Sequence, residues 1–191
     1  MILKYKIVRN SLNLAAVLMM LFMPHAVSAA GFENQLLIEE QTLYLNGEGP
    51  RKKAFLTVYD VALYLTEKGS DAEAIIKANH PMAINLIIRS RFATAERISE
   101  AFREGLDKST GGNSHAIQAQ TDTFMSVFEN GVVKEDTFKF VYLPESGLNI
   151  YKNGGVAAQI AGMEFKQALY GIWLSEDPVA AKLKSQLLGQ K

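Results

Sequence analysis

Between Pro81 and Ser90 the sequence repeats with a period of two, setting Met82, Ile84, Leu86 and Ile88 against Ala83, Asn85, Ile87 and Arg89. Successive side chains of a strand point to opposite faces, so this run predicts a β-strand buried mainly on one side. Such a strand needs partners, and the sequence supplies them. Residues 36–45 and 54–65 are rich in β-branched, aromatic and leucine side chains. Between them, Asn46, Gly47, Glu48, Gly49 and Pro50 read as a turn, because the glycines permit positive φ and the proline forbids a helix. Residues 137–143, 148–152 and 156–160 predict a three-stranded meander, joined through 144–147 and through Asn153-Gly154-Gly155.

Helical spacing fills the gaps. A short helix over 71–78 is stopped by Asn79-His80-Pro81. Thr94 can cap a longer one, with Glu96 in its first turn and a stripe of Ile98, Ala101, Phe102 and Leu106. Beyond Gly111-Gly112, a second stripe runs through Ile117, Thr121, Phe124, Met125 and Phe128. Phe165, Ala168, Leu169, Ile172 and Trp173 share one buried face, and Asp177-Pro178 is expected to begin a last helix as N-cap and first-turn proline. The total is about six strands and five helices. The helices cluster instead of alternating with strands, which predicts an α+β fold and excludes a doubly wound parallel sheet.

The first thirty residues stand apart. Lys4, Lys6 and Arg9 precede the apolar stretch 12–23, and the segment ends in small residues through Ala29 and Ala30. This is the pattern of a secretory signal peptide cleaved after Ala29 or Ala30, which predicts a periplasmic protein with its domain over 31–191. The alternative is an uncleaved membrane anchor; against it, the apolar stretch is shorter than the roughly twenty residues that span a bilayer. The chain of 191 residues has 20 basic and 20 acidic side chains, so losing three cations with the leader leaves a mildly acidic domain. That balance gives no electrostatic reason to seek nucleic acid or an anionic membrane surface.

Composition narrows the chemistry further. With no cysteine, disulfides, thiolate metal sites and a cysteine nucleophile are excluded. His80 and His115 have no second ligand at metal spacing and read as a turn residue and a helix-start residue. No phosphate loop, dinucleotide fingerprint or nucleophile elbow occurs, so no cofactor and no metal is expected. Glu39-Glu40 would sit on a strand with alternate faces, and Glu100 with Glu104 reads as an exposed i, i+4 pair. Arg51 and Tyr59 are the exception. Arg51 follows the Gly-x-Gly-Pro segment and enters a strand in which Tyr59 lies eight residues on. A guanidinium fork and a neighbouring phenol can share one anion. The competing reading is that Arg51 belongs to an exposed Arg51-Lys52-Lys53 cluster and Tyr59 simply packs in the core.

In these segments the chain resembles the chalcone isomerase-like family, in its bacterial exported branch. The resemblance rests on residues 45–53 (LNGEGPRKK) and 58–65 (VYDVALYL), with weaker agreement over 95–105 and 165–174 and at Pro178. It implies an open-faced β-sandwich: a large antiparallel sheet with helices on one side and a ligand cleft between them. The family holds enzymes that close a chalcone by phenolate attack on an enone, and also non-catalytic fatty-acid-binding members. The enzymes' arginine falls at Arg51. Their catalytic threonine falls at Tyr59, their helix tyrosine and asparagine at Thr94 and Ala101, and a C-terminal Thr or Ser near Ile172. Arginine with tyrosine at the first two positions is similar to the carboxylate-holding pair of the fatty-acid-binding members. Three functions follow as expectations. The first is binding of a fatty acid or similar amphipathic carboxylate by Arg51 and Tyr59. The second is an isomerase, an intramolecular lyase acting on a conjugated enone, with Arg51 as its catalytic residue. The third is an interaction module whose cleft is filled by side chains.

Overall fold

A computed structural model describes residues 31–190. Seven strands, β1 (Gln35–Ile38), β2 (Gln41–Lys53), β3 (Leu56–Leu65), β4 (Met82–Ile88), β5 (Thr137–Leu143), β6 (Gly147–Lys152) and β7 (Gly155–Ile160), form one sheet. Each strand pairs antiparallel with its neighbour in sequence. Helix α1 (Ala72–Lys77) follows β3. Between β4 and β5 come α2 (Ala95–Ser109), a 3-10 turn (Ser114–Ile117) and α3 (Gln118–Ser126), while α4 (Met163–Leu174) and α5 (Ala181–Leu187) close the chain. The α+β expectation and the helix-covered antiparallel sheet hold.

The period of two in β4 does what it predicts. Met82, Ile84, Leu86 and Ile88 pack into the main core with Tyr59, Val61, Leu63 and Leu65 of β3 and the buried stripes of α2, α3 and α4. Ala62, Tyr64 and Ala83 face the other way and form a smaller core with Phe32, Leu36 and Leu43. At the centre of the main core the Phe102 ring meets Phe124 edge-on at 5.0 Å and stacks on Phe128 at 5.3 Å. Lys166 of α4 is fully buried. Its ammonium donates to the carbonyls of Ile75, Ile76 and Ala78 at 3.2, 2.7 and 2.8 Å. Those groups end α1 and would otherwise lack partners, so three donors meet three acceptors. Burial lowers the Lys166 pKa to about 8, which leaves it charged at neutral pH.

Three expectations need correction. Residues 36–45 do not form one strand: Glu39 takes φ 53°, and Glu39-Glu40 turn the chain between β1 and β2, giving seven strands. Asn46 to Pro50 are not a turn but the interior of β2, with a register shift between Leu45 and Gly47; the hairpin instead turns at Ala54-Phe55. The glycines serve close packing. A Cβ on Gly47 would lie 2.1 Å from the Gln186 carbonyl oxygen, and one on Gly49 would lie 2.4 Å from the Gln186 side chain. Only bare backbone lets α5 lie against β2. Pro50 is tolerated because β1 stops opposite Tyr44, so the rest of β2 is an edge strand. The third correction concerns the last helix, which begins at Ala181 and not at Asp177-Pro178; Val179 instead donates its N–H to the Ile172 carbonyl at 2.9 Å, folding the connection onto α4.

Gly47→Ala is therefore expected to cost about 1–3 kcal/mol by forcing α5 off β2. Hydrogen exchange should show the loss first in 181–187; uniform protection with an unchanged denaturation midpoint would contradict the packing role.

Candidate functional site

The β2–β3 register sets Arg51 directly opposite Tyr59. Cross-strand partners share a face, and Tyr59 lies on the face that meets the helices. Both side chains line one cleft of about 540 Å³ between the hairpin and α2. Leu56, Val58, Ile98, Ala101, Phe102, Ile172 and Val179 supply apolar wall; Ser90, Lys53, Arg97, Glu100, Glu104 and Lys108 add polar groups. The volume lies within the range of small-molecule sites.

Arg51 is half-buried, and its Nη1 donates to the Lys52 carbonyl. No carboxylate among the described residues pairs with it. Glu104 on α2, which also lines the cleft, pairs instead with Lys108 at 3.5 Å. The guanidinium thus keeps donors for an outside anion.

Tyr59 is 7% exposed, and its hydroxyl oxygen accepts from Trp173 Nε1 at 3.0 Å. The phenol's own proton has no acceptor among the described residues, so it can be given to a ligand oxygen. Burial pushes its pKa up to about 12, against smaller lowering by the indole N–H and the Arg51 charge. Tyr59 is thus a neutral hydrogen-bond donor at physiological pH.

Tyr64 and Tyr170 are also raised by burial. All three phenols bind their protons more tightly folded than unfolded, where they titrate near ~10. Stability is then full below that pH and falls as pH rises toward 12. The phenolate absorbance of Tyr59, taken as the difference from Tyr59→Phe, should emerge only near 12 or on unfolding. Titration near the unfolded value in the folded protein would contradict its burial.

The other positions expected from the sequence add few polar groups to the cleft. Thr94 caps α2, accepting from the Arg97 N–H at 3.4 Å, and is not part of the cleft wall. Ala101 and Ile172 line the cleft but offer only hydrocarbon. Trp173, read from the sequence as core, is indeed fully buried, yet it also fixes the Tyr59 hydroxyl. Its signal was available, since a buried indole N–H needs an acceptor. Phe92 and Arg97 at the cleft were missed, having no pattern to mark them. His80 and His115 are exposed, and no acidic or histidine cluster among the described residues could hold a metal. A second hollow of about 670 Å³ lies on the opposite face, beside Phe32, Asn85, Lys139 and Tyr151. It lacks a guanidinium and phenol set side by side.

Fold and cleft together define a helix-backed antiparallel sheet with an apolar pocket and an unpaired cation beside it. The chain belongs to the chalcone isomerase-like family, whose model matches residues 25–189. Among solved structures it is similar to a fatty-acid binding protein of Arabidopsis thaliana, at 17% identity and a TM-score of 0.65 over 85% of this chain and 95% of that one. That likeness establishes the fold. No curated protein matches the sequence. The predicted signal peptide lies outside the described residues; among those described, no helix is long and apolar enough to cross a membrane.

Proposed function

We propose that this protein binds a fatty acid, or a similar amphipathic carboxylate, without catalytic turnover, as a member of an exported, periplasmic branch of its family. One observation carries the reading: a guanidinium with no carboxylate partner faces a neutral phenol across one strand pair, beside an apolar cleft. Arg51 would take the carboxylate and Tyr59 would donate a second hydrogen bond. The acyl chain would lie against Val58, Ile98, Phe102 and Ile172. A charged hydrogen bond contributes roughly 1.5–3 kcal/mol, and each buried methylene about 0.8, so the head orients while the tail supplies most affinity. Fatty-acid binding by the Arabidopsis protein of the same fold supports this choice. The isomerase alternative needs polar groups that position substrate and protonate an enolate. Ala101, Ile172 and a Tyr59 with pKa about 12 speak against it.

The test is to purify the protein from the periplasmic fraction, denature it and analyse the organic extract by mass spectrometry. A stoichiometric fatty acid is expected, with a mature N-terminus at Ala30 or Gly31. Recovery of no lipid, with no binding of added fatty acid, would overturn the reading. Turnover of a chalcone above the spontaneous rate would favour the isomerase.

A further inference from the structure

The antiparallel register gathers four loops at one end of the sheet. The β2–β3 turn, the segment after β4, the approach to β5 and the β6–β7 turn all lie there, because Tyr59 pairs with Ile88, Ile87 with Thr137, and Phe138 with Lys152. Among the described residues, five of the seven exposed large apolar side chains sit on these loops or on the strand ends that border them. They are Phe55 (89% exposed), Val156 (79%) and Val133 (65%), with Leu56 and Phe92.

Charge is sorted the same way. Lys52, Lys53 and Arg91 are exposed at this end and make no ion pair among the described residues. Of the acids on these segments, Glu135 pairs with Arg89 at 2.8 Å and Asp136 is buried, while Glu96 and Glu129 flank the patch exposed. The opposite end carries Glu39 and Glu40 in the β1–β2 turn, Glu67 after β3 and Glu145 in the β5–β6 turn, with Lys68 as a nearby cation. A near-neutral total thus hides a polarised molecule.

We propose that the apolar, basic end docks on the surface of an anionic phospholipid bilayer. Separate apolar tips interleaved with unpaired cations suit an interface in which rings enter the acyl boundary and ammonium or guanidinium groups meet phosphates. One further observation selects a bilayer. Lys53, Leu56, Phe92 and Arg97 line the cleft at this same end, so an acyl chain leaving a membrane would meet its mouth. Docking goes beyond the fatty-acid reading and does not require a bound ligand.

The absence of cysteine makes the test site-specific. Protein purified from the periplasmic fraction with Ala54→Cys, labelled with a polarity-sensitive fluorophore, is mixed with vesicles of phosphatidylglycerol and phosphatidylcholine or of phosphatidylcholine alone. Ala54 is exposed next to Phe55, and Glu40→Cys, labelled alike, reports the acidic end. Anionic vesicles should blue-shift the probe at position 54 and not at position 40, with the shift weakened by salt. Adding Lys52→Glu and Arg91→Glu should lower the vesicle affinity read at position 54 by at least about tenfold. No shift at position 54, equal shifts at both positions, or indifference to the charge reversals would overturn the proposal. Fatty-acid binding measured without vesicles is separate, so either reading can fail alone.

Discussion

Arg51→Gln is expected to weaken fatty-acid binding by roughly ten- to a hundredfold, matching loss of a charge-assisted contact of about 1.5–3 kcal/mol. Folding should be almost untouched, because among the described residues the guanidinium bonds only the neighbouring Lys52 carbonyl and balances no carboxylate. Arg51→Lys keeps the charge but loses the planar fork, so its affinity should fall in between. Calorimetric titration with a long-chain fatty acid and with the matching alcohol separates head from tail. Wild type should prefer the acid and Arg51→Gln should lose that preference. Equal affinity of wild type and Arg51→Gln for the acid would remove Arg51 from the site.

The largest stability effect should come from Phe102→Ala, with a loss of about 3–5 kcal/mol. Four aromatic neighbours lie within 6.0 Å of that ring: Phe124, Phe128, Phe140 and Trp173. They come from α3 and its end, from β5 and from α4, so they cannot all move inward to fill the space. The same ring lines the cleft, so truncation opens the pocket floor into the core. Urea unfolding checks the prediction. A loss below about 1 kcal/mol would mean the cluster repacks and is no fixed wall. Domains of this kind hold only about 5–15 kcal/mol in total, so Phe102→Leu is the variant to use for binding work.

The buried face of each element was legible because burial writes a period into the sequence. Met82 to Ile88 alternate, and Ile98, Phe102 and Leu106 follow helical spacing into the core, while Ala101 of the same stripe stays exposed at the cleft. Asn46 to Pro50 misled because glycine and proline mark turns by their own geometry. Here they answer to α5, more than 130 residues downstream. A local pattern cannot report a contact so distant in the chain. Lys166 shows the same limit: it lies on a buried helix face, yet only the carbonyl end of α1 explains a charge there. At the site, Arg51 and Tyr59 stood out by residue type, and their pairing depended on where the hairpin turned. A turn at 46–50 would have set a different register; the turn at Ala54-Phe55 puts them side by side. The apolar and basic end lies on four separate loops, and only the sheet brings them together.

The most direct measurement is a pH titration of a fatty acid carrying ¹³C at its carboxyl carbon, followed by NMR while bound to the protein. If Arg51 holds the headgroup, the bound carboxyl stays ionised to a pH below that of the free acid, and Arg51→Gln abolishes the difference. A bound carboxyl that titrates like the free acid in wild type, or identically in both proteins, would show that the head lies elsewhere.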